Sequence, residues 1–310
     1  MAEEDGPEDG PEDGLPGLYR SQLRREGNRW QLVAEDQALP RTEPPGIVPA
    51  LENAISILDY INRTPPHVAT LAEISSTLAI SKSHCHNILK TLTHFGWLRF
   101  DGRLKTYELG SGIIAAASSL HGGFVLDRIR AELTQLVLRI GIPAVLAQPL
   151  PDDSFVVVEK FNLPNAMEVS FSIGHHFPRD STANSRAYLA WQPEEKIEAW
   201  MRAWAPVRYT RATLLSEEEV RREIAATRRR GYARSAAEFT EGLMALGMPI
   251  FDKRGEVAYV FTCSGLMTSM APREPVLAHE IMHAAAAINA AVMARVPAGF
   301  PLGPGNRAVG

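Results

Sequence analysis

Between Pro49 and Leu109 the spacing of apolar residues changes from helical to alternating, and this change restricts the fold more than any other feature of the chain. Side chains three or four apart share a helix face, whereas side chains two apart share a face of a strand. In PALENAISILDYINR the residues Leu51, Ala54, Ile55, Leu58 and Ile61 recur at helical spacing and predict a first helix, which TPPH ends. Thr70 opens a second helix, because TLAE reads as a capping box: the threonine oxygen accepts from the Glu73 amide and the glutamate reaches back. Leu71, Ile74 and Leu78 are its inner face. After Ala79-Ile80, SKSHCHNILKTLTHFGWL predicts a third helix with Ser81 as N-cap, Cys85, Ile88, Leu89 and Leu92 inward, and Gly96 as the stop. WLRFDGRLKTYEL then alternates about Asp101-Gly102 and reads as a β-hairpin. Three helices and a hairpin make a winged helix-turn-helix.

The remaining pattern predicts a second domain, and 310 residues suffice for two domains of the usual ~100 to 150 residues. A small-residue helix, SGIIAAASSL, is broken by Gly122-Gly123; a longer one from Phe124 to Ile140 carries Leu126, Ile129, Leu133, Leu136, Val137 and Ile140 on one side. Strands follow at PAVLAQPL, FVVVEKF and MEVSFSI, then a loop and helices through TRRRGYA, strands at LMALGMPIFD and EVAYVFTCSG, and a helix from Val276 to Val296. Helices beside a mostly antiparallel sheet make an α+β domain. The expected boundaries are a disordered acidic, proline-rich tail over 1–46, the winged helix-turn-helix over 47–110, a linker helix over 111–123, the α+β domain over 124–296 and a disordered tail over 297–310.

The net charge of −4 conceals an asymmetry: Met1–Pro16 holds seven acids and no base, and without them 32 basic residues face 29 acidic ones. That start repeats EDGP, buries too little apolar surface to offset its ordering entropy, and reads as a solvated tail. Two cysteines, Cys85 and Cys263, cannot build a disulfide framework, and no apolar run approaches the ~18 residues of a membrane span. The expectation is a cytoplasmic protein.

A DNA reader needs a helix whose N-terminal side chains reach base edges, with basic or polar groups nearby for phosphates. Ser81, Lys82, Ser83, His84, His86, Asn87 and Lys90 supply the polar side of the third helix, and Ser81 to Phe95 contains no acid. Thr70 at the start of the second helix, and Arg103 and Lys105 in the wing, are candidates for holding the backbone. A polar face that is merely solvated, or one serving protein contacts, is the plainer alternative.

These residues resemble the IclR-type bacterial transcriptional regulators. The resemblance runs through ALENAISILDYI, ISKSHCHNILKTLTHFGWLR and YELGSGI in the first domain, and through FPRDSTANSRAYLA, RRRGYARSAAEFTEGL and MPIFDKRGEV in the second, together about Pro49 to Val296. It implies a homodimer or homotetramer that binds double-stranded operator DNA and takes a small organic acid in the second domain; no metal or cofactor is expected. By the same resemblance, Ala183, Asn184, Ser235, Ala245, Thr262 and Ser264 line the effector pocket, with amides around Ala183 and Asn184 holding a carboxylate. Departures from the family pattern carry information. Asn87 stands where an arginine is usual, and asparagine can read adenine bidentately. Ser185-Arg186 replace a usual Gly-Lys, Ala245 a common cysteine and Ser235 an occasional acid, which favours an acid with a bulkier, aromatic body.

Two motifs suggest other chemistry. His279, Glu280 and His283 have the HExxH spacing of zinc hydrolases. A catalytic zinc needs a third protein ligand, and no Asp, Glu, His or Cys follows His283; its helix carries Ile281, Ala284, Ala285, Ile288 and Val292 for packing. GSGIIA, from Gly110 to Ala115, mimics a dinucleotide fingerprint but follows KTYEL, too polar for a parallel Rossmann strand. The alternatives to a regulator are therefore a zinc hydrolase and a ligand-binding protein without DNA recognition. Trp97, Trp191, Trp200 and Trp204 are expected as core or interface anchors.

Overall fold

The computed structural model describes residues 23–26, 29–32, 46–121, 124–163 and 171–301, which divide into two units at His121/Gly122. Strands β1 (Leu23–Glu26) and β2 (Arg29–Leu32) pair antiparallel within the stretch expected as a tail. Four-residue segments suffice for such a ribbon, which by itself is only marginally stable in water. The rest of residues 1–45 lies outside the described residues.

In the first unit, α1 (Pro49–Arg63), β3 (Val68–Thr70), α2 (Leu71–Thr77), α3 (Lys82–His94), β4 (Leu98–Asp101), β5 (Thr106–Leu109) and α4 (Gly112–His121) follow in order. The capping box is present: the Thr70 hydroxyl donates to the Glu73 carboxylate at 2.8 Å and accepts from the Glu73 amide at 3.3 Å. Ser81 caps α3, accepting from the His84 amide at 3.4 Å. Ile57, Ile61, Ile74, Cys85, Ile88, Leu89 and Leu98 form the core, each large one contributing about 1.5–3 kcal/mol by burial. One stripe differs from expectation. Ile57 and Ile61 face inward with Ala54 and Leu58, whereas Leu51 and Ile55 are 63% and 64% exposed. α1 thus carries two apolar faces, since 51 and 55 fall on a row of their own. The hairpin is also part of a larger sheet, order β3-β5-β4, and its turn runs through four residues, with Lys105 at φ 57°.

The second unit comprises α5 (Phe124–Ile140), β6 (Ala144–Pro149), β7 (Phe155–Phe161), β8 (His176–Phe177), α6 (Thr182–Leu189), α7 (Glu194–Arg202), α8 (Glu217–Arg230), β9 (Ala233–Ala236), β10 (Leu243–Phe251), β11 (Val257–Leu266), α9 (Met267–Met270) and α10 (Glu274–Ala291). Its six strands pair antiparallel throughout, in the order β8-β7-β6-β11-β10-β9. α6 packs on β9, β10 and β11, while α10 packs on β10 and α5. β10 is long and central, and from Leu246 to Phe251 both its faces are buried.

Three expectations change here. Most of MEVSFSI lies outside the described residues, and the edge strand is β8 instead. β9 was unanticipated, because ARSA lacks the β-branched and aromatic residues that mark strands. The final helix ends at Ala291, and the expected tail begins too early: Phe300 is 5% exposed, its ring 5.1 Å from those of Trp191 and Phe251. A single phenylalanine buries enough surface to anchor that segment.

Candidate functional site

The strand register of the second unit assembles a cavity. Ala245 on β10 pairs with Ser264 of β11 on one side and Ser235 of β9 on the other, and Gly247 pairs with Thr262. Cross-strand partners share a sheet face, so these residues form one small-residue floor. Gly247 has to be glycine: a Cβ there would lie 2.8 Å from Thr262 Cγ2 and 3.4 Å from the Ala183 carbonyl oxygen. The first turn of α6 covers this floor. Together with Phe171, Phe177 and Phe239, the floor and helix bound about 440 Å³ of empty space, part of it open to solvent. All six residues assigned to the pocket by resemblance, Ala183, Asn184, Ser235, Ala245, Thr262 and Ser264, line this cavity.

The helix end has no internal cap. The Ser181 hydroxyl before α6 accepts from the Asn184 side chain and from no main-chain amide of the first turn, and among the described residues no acceptor takes the main-chain N–H groups of Thr182, Ala183 and Asn184. Uncapped amides at a helix N-terminus attract anions through the amides themselves and the helix dipole. The lining contains no charged side chain. Thr182 donates to Ser235 Oγ at 2.6 Å, which leaves the Ser235 proton available to a guest.

Two supports lie behind the walls. Arg186 of α6, 4% exposed at its side chain, makes a forked pair with Glu238 at 3.0 and 2.5 Å and donates to the Arg234 carbonyl at 2.6 Å, tying α6 to the β9 segment. Tyr209 packs 4.7 Å from the Phe239 ring and donates to Asp180 at 2.6 Å. Burial pushes the Asp180 carboxyl above its ordinary value, against the lowering effect of the Tyr209 bond. Cys263 points away from Thr262 and Ser264 by strand alternation, and complete burial pushes its thiol up to about 12, so it is inert.

In the first unit, Lys82, Ser83, His86, Asn87 and Lys90 are exposed on α3 and His84 is half-buried. Arg103 and Lys105 are exposed in the wing, where the Asp101 carboxylate accepts from the Arg103 and Leu104 amides at 2.7 and 3.0 Å. Those bonds hold the carboxyl of Asp101 below its ordinary value. Thr70 is placed differently: its hydroxyl is occupied in the capping box of α2, so its role is to fix the helix start.

The two competing motifs have structural explanations. Glu280 accepts from Arg139 of α5 at 3.1 Å, while His279 and His283 are exposed on α10. The glycines of GSGIIA serve close packing: a Cβ at Gly110 or Gly112 would lie 2.2 or 2.7 Å from the Gly96 carbonyl oxygen, to which the Gly112 amide donates at 2.9 Å. Trp200 is buried and stacks on Trp204 at 5.9 Å, whereas Trp97 is 37% exposed.

Several lining residues, namely Phe171, Phe177, Phe239, Thr182 and Thr240, were not singled out from the sequence. Phe177 and Thr182 lie in FPRDSTANSRAYLA, and Phe239 and Thr240 in RRRGYARSAAEFTEGL, so the motifs held the signal.

A winged helix-turn-helix unit and an antiparallel α+β unit that encloses a cavity together define a transcriptional regulator with an effector domain. Comparison with known proteins gives the family. Residues 50–102 match the IclR helix-turn-helix domain and residues 117–290 the bacterial transcriptional regulator IclR C-terminal domain, and the chain belongs to the IclR family. It is 27% identical over 221 residues to the HTH-type transcriptional regulator XynR of Escherichia coli K12, covering 71% of this chain and 87% of that one. It is 28% identical over 224 residues to the transcriptional repressor IclR of the same organism, covering 71% and 81%. Among solved structures, an Alicyclobacillus acidocaldarius regulator of the family superposes with a TM-score of 0.73 at 26% identity, covering 79% of this chain and 99% of that one. An IclR homologue from Microbacterium hydrocarbonoxydans complexed with 4-hydroxybenzoate has a TM-score of 0.66 at 19% identity, covering 79% and 99%. No described helix is long and apolar enough to cross a membrane.

Proposed function

We propose that this regulator binds a near-palindromic operator as a homodimer, or a dimer of dimers, and changes operator affinity when a small aromatic acid enters the cavity of its second unit. The observation that carries the ligand class is the pairing of an uncapped α6 N-terminus with three phenylalanines in a lining free of charged side chains. Oriented amides hold a carboxylate without a cation, and the aromatic rings cover an apolar body. The homologue complexed with 4-hydroxybenzoate is a precedent for such a ligand on this fold.

On DNA, Lys82, Ser83, His84, His86, Asn87 and Lys90 face the major groove, and Ser81 fixes where the helix starts. Arg103 and Lys105 meet phosphates beside the groove. Reading two half-sites about 34 Å apart requires a second copy, and the exposed row of Leu51 and Ile55 on α1 supports such an apolar contact. Ligand and operator interact only as a coupling free energy between the units.

The experiment has two parts. Thermal shift with benzoate, 4-hydroxybenzoate, phenylacetate and acetate should raise the melting temperature for the aromatic acids above that for acetate. Selection from a pool of genomic fragments should yield a two-fold-related site. Equal shifts for all acids remove the aromatic reading, and no sequence enrichment leaves a ligand-binding protein without DNA recognition.

A further inference from the structure

Asn184 contributes more to the cavity than its main-chain amide. The residue is 4% exposed, it lines the cavity, and its Nδ2 donates to Ser181 Oγ at 3.4 Å, while Oδ1 has no partner. Buried acceptors left unsatisfied are rare, because each costs its full desolvation. Here the unused acceptor belongs to the same residue whose N–H completes the uncapped α6 turn.

We infer that the ligand is a 2-hydroxy acid with an aromatic body, its hydroxyl donating to Asn184 Oδ1 while its carboxylate rests on the α6 amides. This rests on the aromatic-acid reading above and narrows it. Main-chain N and Oδ1 of one asparagine are separated by only a few bonds, so the donor that satisfies Oδ1 has to sit next to the carboxylate. A para hydroxyl stands a whole ring away and points elsewhere. A 2-keto group offers only acceptors, which face Oδ1 without a proton to share. A 2-ammonium group offers donors, but no carboxylate lines the cavity to pair its charge. A neutral hydroxyl is the group that fits, and the Ser235 proton is free to bond an oxygen across the floor.

The test is calorimetric titration of the full chain with four acids sharing one phenyl ring: mandelate (both enantiomers), phenylacetate, benzoylformate and 2-phenylglycine, with benzoate as reference. One enantiomer of mandelate should bind about tenfold tighter than phenylacetate and benzoylformate, in keeping with one buried hydrogen bond gained and one orphan acceptor satisfied. In Asn184→Ala the ratio of mandelate to phenylacetate affinity should fall to about one, whatever the change in phenylacetate affinity itself. The wild-type series decides by itself if the variant fails to fold. Mandelate binding no tighter than phenylacetate, with both and benzoate bound, overturns the hydroxyl assignment and leaves the aromatic-acid reading standing. A preference that survives Asn184→Ala overturns it too. No binding by any of the acids overturns both readings.

Discussion

Replacing Arg186 with methionine removes the charge that neutralises Glu238 and opens the tie between the two walls of the cavity. The Arg186 side chain is 4% exposed and that of Glu238 12%, so water screens neither charge well. Three bonds disappear: two to Glu238 at 3.0 and 2.5 Å and one to the Arg234 carbonyl at 2.6 Å. Breaking a buried pair from one side costs about 3–5 kcal/mol, because the remaining charge is uncompensated. Glu238 keeps the Ala236 amide at 3.3 Å and some exposure, which puts the expected loss near the lower end, about 3 kcal/mol. The double variant Arg186→Met with Glu238→Gln leaves no buried charge and should recover a large part of it. Urea unfolding followed by tryptophan emission reads this directly, since Trp191, Trp200 and Trp204 all lie in the second unit. With a slope of about 2–3 kcal/mol/M, the Arg186→Met midpoint should fall by roughly 1 M. A fall worth less than about 1 kcal/mol, or a double variant as unstable as the sum of the singles, refutes the reasoning.

Three further outcomes follow from the same geometry. Burial raises the Asp180 carboxyl above the ordinary ~3.9, so its folded state favours the neutral form and bears a cost at neutral pH; Asp180→Asn should melt higher than wild type at pH 7, with the advantage shrinking as pH falls through the raised value, and a pH-independent difference contradicts this. Ala245→Leu fills the floor between Ser235 and Ser264, so it should weaken aromatic-acid binding about tenfold or more while sparing operator affinity measured without ligand; unchanged ligand affinity removes Ala245 from the site. In operator titrations Asn87→Ala should cost about 1–3 kcal/mol and relax base preference, whereas Lys105→Ala should weaken all sequences alike; two silent variants mean that α3 is not the reading helix.

What the sequence made legible is local. Thr70 and Ser81 announced the starts of α2 and α3 because caps are written in adjacent residues, and Gly96, at φ 71°, marked the end of α3 for the same reason. β3 escaped because three residues carry no period, and Leu51 and Ile55 were misplaced because α1 has two apolar rows and periodicity does not say which meets the core. The cavity was readable only through resemblance. Phe239 lies about sixty residues beyond Phe171 and Phe177, and Ala245 meets Ser235 and Ser264 only through strand register, which a linear pattern does not encode. The Asn184 acceptor is legible from structure alone, because an orphan is defined by what fails to surround it.

The most direct measurement of the central claim is fluorescence anisotropy of a selected operator duplex titrated with the full chain, with and without saturating aromatic acid. A coupled regulator shifts its operator Kd by roughly 5–150-fold between the two titrations, corresponding to about 1–3 kcal/mol of coupling. Superimposable curves, under conditions where calorimetry shows the acid bound, contradict the account.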